Sequence, residues 1–384
     1  MECYFDNSAS TRVLDSVKDI VVKTMTEDYG NAAAKHRKGM EAEQYIREAR
    51  RIIAGTLKAA EKEILFTSGG SESNNMALIG TALANQRAGR HIISTAVEHP
   101  SVYNPLTYLE KLGFEITFLP VDHNGHISLQ QLEEAIRPDT ILVSVMYVNN
   151  EVGAVEPIEE ISRIIKAKNP SVIFHVDAIQ AYGKYVIRPK KQGIDLLSVS
   201  GHKIHGPKGV GFLYIRSGVK IKPLIYGGGQ QNNLRSGTEN VPGAAGLGVA
   251  AKEMYTDHEE KIRRLTELKD YMTDRLGEIE GTLVNSKKGT ESAPQIVSVS
   301  FEGVRSEVLL HALEDKEIYV SSGSACSSHH PGISGTLKGI GLAQKYLDAT
   351  IRISFGIFNT KEEIDYCIDT LKELLPVLRR YQRG

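Results

Sequence analysis

Seven short apolar runs rich in β-branched residues recur between residues 63 and 215: EILFT, HIISTA, FEITFLPV, TILVSVM, SVIFHVDA, DLLSVS and GVGFLYI. Between most of them lie stretches with helical spacing of apolar positions, such as SLQQLEEAIR and IEEISRIIKAK. Near-continuous apolar strands are buried on both faces. Separated by helices, they predict a large α/β domain with a mostly parallel central sheet flanked by helices. After about residue 240 the texture changes. The charged stretch AAKEMYTDHEEKIRRLTELKDYMTDRL predicts one long helical region. PQIVSVSF, a helix from about Arg305, IYVSS, TIRISF and a final helix then predict a smaller α+β domain. The final helix opens on the capping box Thr360-Lys-Glu-Glu363. Its Ile364, Cys367, Ile368, Leu371, Leu374 and Leu378 form one stripe, which makes Cys367 a core residue. The expected division is 15–260 for the large domain, and 1–14 with 261–384 for the small one.

Composition narrows the function classes. The chain has 384 residues, 41% hydrophobic and 24% charged, which suits a globular protein of two or three domains. Lys+Arg 46 against Asp+Glu 47 leaves a net charge of -1 with no long basic or acidic block, so neither nucleic acid nor a membrane surface is an expected partner. MECYFDNSAST carries two acidic residues and no apolar core, unlike a secretory signal. No stretch approaches the ~18 apolar residues of a membrane span. The cysteines Cys3, Cys326 and Cys367 are too scattered for a disulfide framework, and a cytoplasmic location is expected.

The chemistry-bearing residues sit where apolar strands end. In DLLSVSGHKIHGPKGVG, Lys203 follows a strand, with Ser200 and His202 beside it as donors. Open α/β sheets bind ligands in the crevice beyond the carboxyl ends of their strands. Alone, Lys203 would read as a solvated loop residue, as Lys208 does. Other strand ends supply matching parts. FTSGGSESNN is a strand, a glycine turn and a helix start, where Gly70, Ser71 and the helix dipole would cradle a phosphate, although no P-loop pattern is present. SVIFHVDA ends in Asp177, with Gln180 three residues on. That carboxylate would face a protonated ring nitrogen or cap the following helix. His99 in TAVEHP would stack on a planar ligand, and Asn150 follows another strand in MYVNNEVG. Phosphate cradle, aspartate and imine-forming lysine together describe a pyridoxal 5'-phosphate site.

From YFDNSAST through TSGGSESNN, NNEVG, HVDAIQ, SGHKIHGPKGVG, GGGQQNNLRSGT and SSGSACSS to IRISFG, the sequence resembles the cysteine desulfurases of the NifS/IscS type. These are class-V, fold-type I pyridoxal-phosphate enzymes. The resemblance implies that Lys203 carries the cofactor as a Schiff base, that Asp177 pairs its ring nitrogen and that His99 stacks on the ring. It implies Gln180 and Asn150 at the ring hydroxyl and substrate side, and phosphate binding by Gly70, Ser71, Ser200 and His202, joined by Thr238 from the partner subunit of a homodimer. Arg352 would clamp the carboxylate of the substrate L-cysteine, which its planar fork suits. Cys326, among small residues with Gly323 nearby, would attack the substrate sulfur from a mobile loop. L-alanine would leave, and a persulfide would remain for a sulfur-acceptor protein. His99 would be the acid/base group that helps form the thiolate. An iron–sulfur scaffold as acceptor, and Cys326 as a transient iron–sulfur ligand, are further implications.

This chain departs from the family pattern at several points. Ser71 stands where threonine is usual, DNSAST replaces DNAATT, and GNAAAKH lacks the usual proline. GGGQQNNLRSGT lacks a Glu-Arg pair, and RRYQRG lacks the extended tail some members use to dock a scaffold. Two other readings stay open from the residues. One is another reaction of the same cofactor, such as a selenocysteine lyase or an aminotransferase. The other is a metal or redox-sensing module on Cys326, His329 and His330.

Overall fold

The computed structural model describes residues 1–322 and 334–380. A short strand β1 (Cys3–Tyr4) precedes the large sheet. All seven apolar runs are strands of that sheet: β2 (Ile64–Thr67), β3 (His91–Thr95), β4 (Glu115–Leu119), β5 (Thr140–Met146), β6 (Ile173–Asp177), β7 (Leu196–Ser200) and β8 (Gly211–Ile215). Their order is β2-β8-β7-β6-β5-β3-β4, and only β8 runs against its neighbours. The near-continuous apolar pattern has the expected cause, because every residue of β2, β3, β5 and β7 is buried. One core lies between the sheet and its helices and includes Val143, Val176 and Leu197 of the sheet with Ile46, Ile53 and Leu57 of the helix Arg37–Leu57. The parallel register sets Asp177 opposite Met146 and Ser198, so three adjacent strands end on one edge.

Past residue 280 come β9 (Thr282–Val284), β10 (Ile296–Phe301), β11 (Ile318–Tyr319), β12 (Ser321–Ser322) and β13 (Thr350–Ser354). An antiparallel sheet runs β12-β13-β10-β9, while β1 pairs in parallel with β11. A second core gathers Cys3 and Phe5 with Leu268, Phe301, Ile353 and Cys367. Cys367 is wholly buried, as its stripe requires, and burial pushes its thiol up. The capping box forms as read: the Thr360 N–H donates to Glu363 Oε2 (2.9 Å) and the Glu363 N–H to Thr360 Oγ1 (3.3 Å).

The charged helical region comprises two helices, Val241–Tyr255 and His258–Gly277. Thr256 is extended and Asp257 is left-handed (φ 48°). The cause is burial. Val241–Tyr255 packs its small residues into the first core and His258–Gly277 buries Leu268 and Met272 in the second. One straight helix cannot turn apolar faces to both.

The turn that carries Asn150 is braced from below. Asn149 Oδ1 accepts the N–H groups of Glu151 and Val152 (2.9 and 3.0 Å), and Val148 bridges Val155. Next to it Glu156 Oε1 accepts the Ile127 N–H (3.1 Å), and burial raises its carboxyl from 4.5 to about 8. The folded chain therefore keeps a proton that the unfolded chain releases above 4.5. Glu156 costs stability progressively as pH climbs from about 4.5 to about 8, and the loss is flat beyond. Thermal unfolding of Glu156→Gln followed by calorimetry across pH 5–9 should fall less steeply in that window than wild type. Parallel curves would assign the pH dependence elsewhere.

Candidate active site

One cavity of ≈ 440 Å³ opens at the carboxyl edge of the large sheet, and eleven of the twelve residues singled out from the sequence lie among the described residues. Ten of them line it: Gly70, Ser71, His99, Asn150, Asp177, Gln180, Ser200, His202, Lys203 and Arg352. Thr238 does not; it is exposed on its own chain. Cys326 lies outside the described residues.

Asp177 ends β6 and is 4% exposed. Its Oδ1 accepts the Ile179 N–H (3.0 Å) and its Oδ2 accepts from Asn74 Nδ2 (2.8 Å). Burial raises its carboxyl, against those two donors and the neighbouring His99 and Lys203. Each oxygen holds one donor and retains capacity for another. An ionised carboxylate in such a place calls for a cationic N–H.

Lys203 closes the turn Gly201–Lys203 after β7. Its Nζ donates to the backbone carbonyls of Ser8 and Ala9 (2.7 Å to the latter). Its own carbonyl accepts from the buried Lys184, whose amine burial lowers to about 7. His202 is held near 4 by burial and the Lys203 charge, so it faces the cavity neutral at pH 7. Gln180 Nε2 donates to the Ser8 carbonyl (3.0 Å).

The glycine turn makes a tight seat. Gly69 has φ 150°, and a Cβ on Gly70 would stand 2.2 Å from Ile179 Cδ1, so a side chain there would displace the residue packed beneath Asp177. The N–H groups of Gly70 and Ser71 open the helix and have no intrahelical acceptor, which suits an anion. The helix Gly70–Asn75 continues through a π turn, Met76–Gly80, into Thr81–Asn85.

Arg352 sits in β13, 7% exposed. Its Nη1 donates to the Asn150 carbonyl (2.9 Å) and its Nη2 to Asp6 Oδ1 (3.0 Å). Two of five guanidinium N–H groups are thereby used, and the fork stays available to a carboxylate. Burial raises the Asp6 carboxyl, partly offset by Arg352 and then Lys203.

His99 is the N-cap of the helix Pro100–Lys111. Its Nδ1 accepts the Ser101 N–H (3.1 Å) and stands 2.8 Å from Ser101 Oγ. Burial lowers its imidazole, and so, after the opposing pull of Asp177, do Lys203 and Arg352.

Sequence reasoning left Asp6, Ser8, Ala9, Asn74 and Ser101 without roles. The first three lie in YFDNSAST and Asn74 in TSGGSESNN, so the motifs were visible. The contacts that bring them to the cavity are long-range and carry no local signal. Among the described residues, no group of three or more His, Cys, Asp or Glu is placed to hold a metal ion, and no helix is long and apolar enough to cross a membrane.

The parts fit pyridoxal phosphate: a buried carboxylate for a ring N–H, a glycine seat for a phosphate, an amine for an aldehyde and a guanidinium for a carboxylate. The comparisons agree. The model of the family described as aminotransferase class-V matches residues 3–367. A cysteine desulfurase IscS of Dictyoglomus turgidum is 43% identical over 379 residues, 98% of this chain and 95% of that protein. One of Methanosarcina thermophila is 44% identical over 376 residues, 98% and 92% of the two chains. A solved NifS-like protein superposes with a TM-score of 0.93 at 38% identity, covering 98% of this chain and 100% of that one. With relatives this similar along almost its whole length, the chain belongs to the cysteine desulfurases of the class-V aminotransferase family.

Proposed function

We propose that this chain is a pyridoxal-phosphate-dependent cysteine desulfurase: it takes sulfur from L-cysteine, releases L-alanine and leaves a persulfide on Cys326. The observation that carries the reading is the convergence of Lys203, Asp177, the Gly70–Ser71 seat and Arg352 in one cavity. The cofactor, when bound, supplies an electron sink for the substrate carbon skeleton. Lys203 holds it covalently through Nζ, and Asp177 keeps its ring nitrogen protonated. Gly70, Ser71, Ser200 and His202 take its phosphate, and His99 lies against its ring. Arg352, with Asn150 beside it, binds the substrate carboxylate and aligns the sulfur.

The Cys326 thiolate attacks the substrate Sγ. A sulfur–sulfur bond forms, the carbon–sulfur bond breaks with its electron pair on the carbon, and that carbon takes up a proton to give alanine. Reach supports the assignment. Ser321 lines the cavity and pairs with Arg352, and residue 326 lies four positions past Ser322, within about 14 Å of extended chain.

A homodimer would bring Thr238 of one subunit to the other's phosphate seat. This is supported by the exposure of Thr238 and of Tyr226 (76%) in the same segment. The two cores support a large domain of 15–260 and a small one of 1–14 with 261–384. The sulfur acceptor is a protein thiol or an iron–sulfur scaffold, and the setting is the cytoplasm.

L-cysteine with a reductant should give alanine and sulfide. Cys326→Ala should abolish sulfide release while retaining the cofactor's visible absorption, and undiminished sulfide would remove the persulfide route. Lys203→Ala should lose covalently held cofactor, seen as disappearance of the borohydride-fixed adduct at residue 203 by mass spectrometry. Arg352→Leu should raise KM for L-cysteine roughly 10- to 100-fold with a smaller change in kcat, the size expected for hydrogen bonds to a charged group. An unchanged KM would place the carboxylate elsewhere.

A further inference from the structure

Between Asp177 and His99 runs a short chain of hydrogen bonds that the proposed reaction does not yet use. Asn74 Nδ2 donates one N–H to Asp177 Oδ2 (2.8 Å) and the other to Ser101 Oγ (2.9 Å). Its amide orientation is fixed by charge, since a flipped amide would set oxygen against a carboxylate oxygen. Asn74 Oδ1 accordingly points away, buried and without a partner among the described residues. Ser101 Oγ, accepting from Asn74, has its own proton to give, and His99 Nδ1 lies 2.8 Å away. Nδ1 also accepts the Ser101 backbone N–H (3.1 Å), a group that can only donate. Two donors therefore converge on Nδ1, so the ring proton of the neutral imidazole is on Nε2.

We propose that Asn74 and Ser101 are positioning residues that tie Asp177 to His99 and hold the His99 imidazole neutral with its proton on Nε2, so that it presents a hydrogen-bond donor, and not a base, to the cavity. The inference deepens the desulfurase reading and rests on it for what the donor meets: a substrate or cofactor atom on which negative charge develops. A neutral imidazole can stabilise such charge by donation, whereas accepting a proton at Nε2 requires Nδ1 to release its two donors. The expected acid/base role of His99 thus narrows to the donor side, and the Cys326 thiolate must arise without it.

The groups around His99 favour the same state. In the chain without cofactor, Lys203 after β7 and Arg352 in β13 oppose an imidazolium, while Asp177 in β6 favours one. At the neighbouring Glu98, burial and then Asp177 push the carboxyl well up, which weakens it as a counter-charge. Burial is the largest influence and favours the neutral ring.

The test is nitrogen-15 NMR of histidine-labelled holoenzyme between pH 5.5 and 8.5, with the His99 signals identified by their loss in His99→Gln. Wild type should show Nδ1 unprotonated and Nε2 protonated at pH 7 and above. Ser101→Ala removes the hydroxyl but keeps the backbone N–H. It should raise the His99 midpoint by about half to one pH unit, the size of one lost hydrogen bond, and Ser101→Thr should restore it. Asn74→Leu should move His99 in the same direction and also shift the pH titration of the cofactor's visible band through Asp177, a shift Ser101→Ala should leave out. A His99 carrying its proton on Nδ1, or His99 signals unmoved by both Ser101→Ala and Asn74→Leu, would overturn the proposal. Neither readout uses turnover. A wild-type enzyme that makes no alanine from L-cysteine would instead defeat the desulfurase reading and leave the nitrogen assignments standing.

Discussion

A carboxylate shut away from water at the end of a central parallel strand is the constraint on which this molecule turns. Removing an ionised carboxylate from water costs several kcal/mol even after the protein relaxes. The Ile179 N–H and the Asn74 amide return part of that, and the net effect at Asp177 is still an upward shift. A site in that condition is incomplete without a cationic hydrogen-bond donor. A protonated pyridine nitrogen supplies both the charge and the N–H. On the proposed reading, the arrangement that makes Asp177 costly to the bare protein is what would give it grip on a ring nitrogen. Lys203 follows from the same register. It leaves β7, the strand paired with β6, at the same edge, which sets an amine and a carboxylate around one cavity.

The second support of the cavity is the N-terminal segment, which joins the two cores. Phe5 is buried in the smaller core, and Asp6 bridges Ser354 and pairs with Arg352. Two residues on, the Ser8 carbonyl accepts from both Gln180 and Lys203. Within four residues the chain passes from the packing of the smaller core to the amine of Lys203. Arg352 completes the stitch by donating to the Asn150 carbonyl in the braced turn after β5. On the proposed reading, a substrate carboxylate at Arg352 would thus be linked to the N-terminal segment through Asp6 and to the turn after β5 through Asn150.

Much of this was legible in the chain, for reasons that differ from part to part. The seven strands of the large sheet declare themselves because a strand buried on both faces must be apolar at nearly every position. Lys203, Asp177, Asn150 and His99 were legible because strand ends in an open sheet meet at one edge, which makes short-range position a guide to long-range proximity. What was hidden depends on contacts across the chain. The break at Thr256–Asp257 follows from two cores competing for one charged stretch, and helical periodicity alone does not reveal which core each turn serves. Asn74 and Ser101 were hidden for a related reason. They stand 27 residues apart, and each looks locally like an ordinary polar position near a helix start.

On the proposed reading position 326 poses a different requirement, because its sulfur would have to meet a substrate inside the cavity and later an acceptor outside it. A thiol rigidly built into a strand could do only one of these. The described chain answers half of the problem. β12 is pinned to β13 at Ser321–Arg352, so the segment departs from beside the residue proposed to hold the substrate carboxylate. At the other end Ser334 is fixed through its hydroxyl to Glu151, in the same turn as Asn150. Both roots are thereby tied to the substrate side of the cavity. Between Ser322 and Ser334 runs GSACSSHHPGI, in which alanine and serine flank the cysteine directly. One sulfur atom, carried between roots fixed at the cavity, then has two partners to serve. On the proposed reading, that is the demand a persulfide carrier places on its chain.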